Sequence, residues 1–245
     1  MSIDQVIALS ASIGAFMSAT AAFLAVRQNT KQREASYRPE LAITRTTFTA
    51  CKRPLSKSAF ADFWGEKKDG SDLGDAKILS ALSLPLRNVG LGAAKEASLQ
   101  WSFPIEELVS NINEKAQKSL IPAYFEYENG VLSLKSEQLD AATSMWGNQK
   151  QDSVDYVLPA STDQEGVKIH VPHAYMELVS ALLYFSAKEK GRHSFPDMPA
   201  LKLELKYFDI GGDKHKSSFN IELNLITIHG DGEGFHGYMQ SRKIA

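Results

Sequence analysis

Hydrophobic positions along this chain follow two regimes. From residue 6 to residue 26 (VIALSASIGAFMSATAAFLAV) they run almost unbroken, and no charged side chain interrupts them. At about 1.5 Å per residue, some twenty residues of helix match the ~30 Å hydrocarbon core of a bilayer. Beyond residue 39 the pattern turns to alternation, the signature of half-buried strands. Residues 40–50 are rich in β-branched side chains and open this region. Residues 78–86 place Ile78, Leu82, Leu84 and Leu86 on one parity. Residues 96–103 turn Ala97, Leu99, Trp101 and Phe103 inward and Ser98, Gln100 and Ser102 outward. Asn129-Gly130 between 124–127 and 131–135 predicts a hairpin. Strands are expected at 153–158 and 167–171, and as an antiparallel pair at 201–208 and 219–228. Two segments have helical spacing instead. Residues 104–118 carry the stripe Ile105, Leu108, Val109, Ile112 and Ala116. Residues 173–190 carry Tyr175, Leu178, Val179, Leu182 and Phe185, between Pro172 and Gly191. Residues 52–75, with Phe60, Phe63 and Trp64 among charges and glycines, read as a loop excursion whose aromatics pack it down or touch lipid.

Many short alternating strands with two inserted helices predict a mainly β fold, an antiparallel β-sandwich preceded by a transmembrane helix. The expected organisation is a membrane anchor over 1–27, a polar juxtamembrane helix extension or linker over 28–39, a β-sandwich domain over 40–228 and a flexible, glycine-rich tail over 229–245.

The apolar run has three readings. A secretory signal calls for a basic n-region, yet the flank MSIDQ carries only Asp4. A core helix calls for a polar face, and no charged face exists between residues 6 and 26. A spanning helix fits, with the hydroxyls of Ser10, Ser12, Ser18 and Thr20 bonding back to helix carbonyls. Ser10, Gly14, Ser18 and Ala22 recur at steps of four, beside Ala11, Ala15 and Ala19. Such stripes let helix backbones approach, so self-association in the membrane is one reading and chance spacing in an Ala/Ser-rich span is the other. Arg27, Lys31, Arg33 and Arg38 follow the span against Glu34 alone, which places the N-terminus outside and the main domain in the cytoplasm.

Charge and chemistry add little to this picture. The formal net charge of −2 argues against nucleic acid. One cysteine, Cys51, permits no intrachain disulfide and suits a reducing compartment. Beside Lys52 and Arg53 it has thiolate-favouring neighbours, but no histidine lies near it in sequence, so a partly buried structural thiol is the plainer reading. Asn88-x-Gly90-x-Gly92 hints at a phosphate cradle, but it joins two strand-like segments and reads as a turn or bulge. His170 and His173 flank a strand-to-helix step where they could share a metal or stay solvated. His229, Asp231, Glu233 and His236 offer ligands on paper within a segment whose ordering is entropically costly. Asp209 is explained by its Asp-x-Gly-Gly turn. No nucleophile elbow, zincin motif or P-loop occurs, and no cofactor is expected.

Three stretches carry a resemblance: Tyr37-Arg38-Pro39-Glu40-Leu41, Leu86-Arg87-Asn88-Val89-Gly90-Leu91-Gly92-Ala93-Ala94 and Tyr207-Phe208-Asp209-Ile210-Gly211-Gly212. With the N-terminal span, the chain resembles a broad group of bacterial single-span membrane-anchored proteins of uncharacterised function. The resemblance implies an immunoglobulin-like cytoplasmic β-domain and carries over no catalytic residue. Some proteins of this build look like membrane effectors of anti-phage defence, an analogy of architecture. The expected function is a non-enzymatic sensor, adaptor or effector at the cell membrane, with the bilayer, further copies of the chain and a protein or ligand as partners. A structural subunit of an envelope complex and an enzyme with a dispersed site are the alternatives.

Overall fold

The computed structural model describes residues 2–53, 56, 58–66, 82–136, 142–189, 196–229 and 232–244. Ile78, Gly191 and Asp231 lie outside them. The first element is one continuous helix, α1 (Ile3–Ser36), and every side chain described along it is exposed. Its stretch from Ile3 to Gln32 is long and apolar enough to cross a bilayer. Residues 28–36 extend this helix, and the chain becomes extended only at 38–40. Hydroxyls bond back along it as expected: Ser10 Oγ donates to the Ile7 carbonyl at 2.9 Å and Thr20 Oγ1 to the Phe16 carbonyl at 2.9 Å.

The rest is mainly β and antiparallel. The order is β1 (Leu41–Ile43), β2 (Thr46–Cys51), β3 (Phe63–Glu66), β4 (Ser83–Asn88), β5 (Ala94–Ser102), α2 (Ile105–Lys118), β6 (Ala123–Glu128), β7 (Val131–Ser136), β8 (Ala142–Met145), α3 (Trp146–Gln149), β9 (Gln151–Val157), β10 (Val167–His170), α4 (His173–Lys188), β11 (Leu201–Phe208), β12 (Lys214–His229) and β13 (Gly234–Ile244). Seven strands form one sheet in the order β3-β2-β13-β12-β11-β5-β9, and it curls into a half-barrel. Two three-stranded sheets, β1-β4-β10 and β6-β7-β8, complete the β structure. The expected alternation sets the face of each strand. Leu201, Leu203, Leu205 and Tyr207 are buried while Lys202 and Lys206 are exposed, and Leu203 lies opposite both Trp101 and Phe219. The β6–β7 hairpin turns on Asn129 and Gly130, both at positive φ (50° and 78°), the conformation a two-residue type I′ turn requires.

Three expectations need correction. The two-sheet immunoglobulin-like sandwich is not what the strands build. The large sheet curls, the remaining strands form two separate three-stranded sheets, and residues 174–186 of α4 are buried on every side in the core. Trp64 donates from Nε1 to Ser180 Oγ at 2.9 Å, and Tyr175 from its hydroxyl to the Pro199 carbonyl at 2.7 Å. Around this helix, Trp64 stacks on Phe48 and meets Phe235 edge-on, while Phe103 meets Trp146 and Tyr175. Second, the expected loose tail is β13, paired along its length with β12 and over five positions with β2. It is an interior strand of the large sheet. Third, the excursion at 52–75 is not all loop, since it contains β3; its Phe60 and Trp64 pack down into the core, as one of the two readings had it, and this burial argues against lipid contact for both.

Candidate functional site at the helix–domain junction

The chain leaves α1 through Tyr37, Arg38, Pro39 and Glu40, and these four residues are gripped from two sides. Asn88, at the end of β4, is 0% exposed and its amide makes every bond open to it. Its Oδ1 accepts from the Glu40 and Gly90 amides, each at 3.0 Å. Its Nδ2 donates to the Gly92 carbonyl at 2.6 Å and the Val157 carbonyl at 3.1 Å. The Val89 amide adds a bond to the Glu40 carbonyl at 2.8 Å, and Leu41, Ala42 and Ile43 continue the pairing along β4. Gly90 and Gly92 have to lack side chains. A Cβ on the first would overlap the Arg38 carbonyl oxygen, and one on the second the Tyr37 carbonyl oxygen. On the other side, the Tyr207 hydroxyl donates to the Pro39 carbonyl at 3.5 Å.

The three stretches that carried the resemblance thus meet at one place. Asn88-x-Gly90-x-Gly92 is a turn, as expected, and what it cradles is the chain's own backbone. The third stretch contributes a second prop. His215 stacks on Tyr207, and its Nε2 lies 3.0 Å from Asp209 Oδ2. Asp209 Oδ1 accepts from the Asp213 amide, and the His215 bond, with these backbone donors, holds the carboxyl below its ordinary range. Asp209 is therefore occupied within its turn. A cleft of about 640 Å³ opens beside the junction, lined among others by Arg38, Glu40, Tyr207, Ser217 and Lys243.

The second polar locus is the start of α4. Its first turn is capped from α3, where Gln149 Oε1 accepts from the Ala174 amide at 3.1 Å. One turn on lies Glu177, the one fully buried carboxylate among the described residues, and neither oxygen has a hydrogen-bond partner. Burial pushes its pKa up to about 7. His173, one turn earlier and exposed, has its Nδ1 3.7 Å from Glu177 Oε2. Desolvation, and then the Arg53 charge, lower the His173 pKa, while Asp62 works against them. Arg53 itself is held by Asp62 through its backbone amide at 2.9 Å and its Nε at 3.0 Å.

The remaining sequence candidates separate. Ser10, Gly14, Ser18 and Ala22 all lie exposed on α1, and nothing approaches a Cβ built on Gly14. Arg27 and Lys31 are exposed further along it, with Arg33 in the same helix. Cys51 is half-buried, and its thiol is raised by burial and then by Asp62, the reverse of what Lys52 and Arg53 suggested. His173 engages Glu177, and His170 is exposed at the end of β10. His236 is used by the sheet, its Nδ1 2.7 Å from the Phe48 carbonyl oxygen. Among the described residues no three His, Cys, Asp or Glu side chains gather around one point. The sequence pattern gave no sign that Glu177 would be buried. Compared with family models, curated proteins and solved structures, the chain matches none of them.

Proposed function

We propose that this is a single-pass membrane protein whose α1 anchors a β-rich domain, and that the domain is a non-enzymatic sensor, adaptor or effector. One observation carries the reading: among the described residues the apolar Ile3–Gln32 stretch is exposed along its length, yet Glu40, at the exit from the helix, is fastened to the domain by the buried amide of Asn88. α1 runs unbroken from the apolar stretch to this fastened exit, a build that suits an anchor holding a domain in a set orientation. The adjacent cleft gives a ligand or a partner's side chain a place to act on that orientation. Basic residues after the span favour an outside N-terminus and a cytoplasmic domain at the cell membrane. The stripe Ser10, Gly14, Ser18 and Ala22 is the face on which helices of two copies would meet. Defence against phage is the host process the architectural resemblance suggests.

Fractionation of expressing cells, a carbonate wash and the intact mass of the recovered chain test the reading. The expected result is full-length protein in the washed membrane pellet. A shortened chain in the soluble fraction would identify the segment as a signal sequence and overturn the anchor. Crosslinking in membranes, with Gly14→Leu and Ser18→Leu as controls, then tests self-association: the doubly substituted chain should lose its crosslinked dimer.

A further inference from the structure

Glu177 presents an unusual account of itself. Its side chain is 5% exposed, both oxygens lack a hydrogen bond, and it sits on a helix buried on all sides. A buried carboxylate without a partner is strongly disfavoured in its charged form. The Arg53 charge that acts on His173 is no remedy, because Arg53 is already bound to Asp62. What the carboxylate does have is an imidazole one turn earlier. His173 is 62% exposed, and its Nδ1 faces Oε2 across 3.7 Å, too far for a hydrogen bond.

From this geometry we infer that His173 and Glu177 form a two-ligand site for a divalent transition-metal ion. Metal–nitrogen and metal–oxygen bonds of about 2.1 Å across this gap subtend roughly 125°, and a small rotation of either side chain closes that to the tetrahedral ~109°. The i,i+4 spacing puts both side chains on one face of α4, so the helix sets the bite. An imidazole with a carboxylate selects zinc, cobalt or nickel over calcium or magnesium. The exposed His173 gives the ion its entry, and the buried Glu177 gains the charge it lacks. No third protein ligand is supplied by the described residues, so water completes the coordination. The pair differs from the two histidine sets that the sequence offered, since neither His170 nor the β12–β13 turn takes part.

The test uses the full-length chain in detergent, stripped with a chelator and titrated with cobalt(II) and with zinc(II). Visible absorbance reports cobalt coordination, and thermal unfolding reports zinc. The expected result is saturable one-to-one binding below millimolar ion, stronger for the later first-row metals than for magnesium. His173→Ala, at an exposed position where folding is not at risk, should weaken binding at least tenfold, and Glu177→Gln should do the same. His170→Ala and His236→Ala should leave the affinity within twofold. Absence of saturable binding up to millimolar ion overturns the site, and so does a His173→Ala chain that binds as well as the parent.

Discussion

Two buried polar side chains, Asn88 and Glu177, stand at opposite extremes. Asn88 has no exposure and uses every donor and acceptor of its amide on backbone drawn from three segments. Glu177 is almost as deeply buried and uses none. A satisfied buried amide fixes geometry: each bond is worth only about 1 kcal/mol net, but any that is left unmade exposes the full desolvation penalty of its group. That asymmetry fixes the backbone at the exit from α1. An unsatisfied buried carboxylate does the opposite, since it holds bonding capacity in reserve for a proton or an ion. The difference separates a place built to stay the same from a place built to change state.

Removing the satisfied partner should have the largest effect. Asn88→Ala leaves the Glu40 and Gly90 amides and the Gly92 and Val157 carbonyls without their partner. A loss of roughly 3–5 kcal/mol in urea unfolding is expected. Asn88→Asp sharpens the point, because it keeps an acceptor for the two amides but turns a charged oxygen toward the two carbonyls. It should rescue less than half of that loss.

Filling the unsatisfied side should have the reverse sign and a pH dependence. The folded state holds the Glu177 proton up to about pH 7, against an ordinary value of 4.5. The unfolded chain releases it earlier, so stability drains away as pH rises from about 4.5 through 7 and is then level. Glu177→Gln does not titrate. With chelator present, its stability relative to the parent should rise by about 2–3 kcal/mol between pH 5 and pH 8, as chemical unfolding at the two pH values would record. Parallel stability curves for the two chains would remove the contrast between the two residues.

How far the sequence anticipated this contrast depends on how local each piece is. Single strands and helices were legible because alternation and the helical stripe are properties of neighbouring residues, and the Asn129-Gly130 hairpin needs nothing distant. The role of Asn88 was not, since its partners at Glu40 and Val157 lie 48 and 69 positions away. β13 escaped for another reason. Its inward column is Phe235, Gly237 and Met239, and a glycine in the middle erases the apolar alternation. Gly237 has to be there, because a Cβ would run into the Asn224 carbonyl oxygen at the irregular pairing of β12 with β13. The all-round burial of α4 was partly legible, since Met176, Leu183 and Tyr184 lie off the predicted stripe and are apolar too, but Ser180, Ser186 and above all Glu177 on the remaining face argued for an exposed side.

Between the two extremes lies Ser180, whose hydroxyl oxygen accepts a hydrogen bond from the Trp64 indole N–H in the core. Ser180→Ala strands one neutral donor, so a loss of about 1–2 kcal/mol is expected, below that of Asn88→Ala and insensitive to pH. A pH-dependent loss would mean that Glu177, one turn away on the same helix, is coupled to it.

The smallest effect concerns Asp62, which binds Arg53 and also raises the Cys51 thiol. Asp62→Asn removes that raising charge and frees the Arg53 guanidinium, and both changes favour thiolate. Burial is the larger cause of the raised value, however, and it is untouched by the substitution. Alkylation of Cys51 by iodoacetamide at pH 8 should therefore quicken by no more than about threefold. Because the chain has no other cysteine, the rate reports this position alone. An acceleration of tenfold or more would show that charge outweighs burial at the β2–β3 edge. The high value of Glu177, ascribed to burial alone, would then need the same scrutiny, and its variant and the Asp62 variant should be combined to see whether the two shifts add.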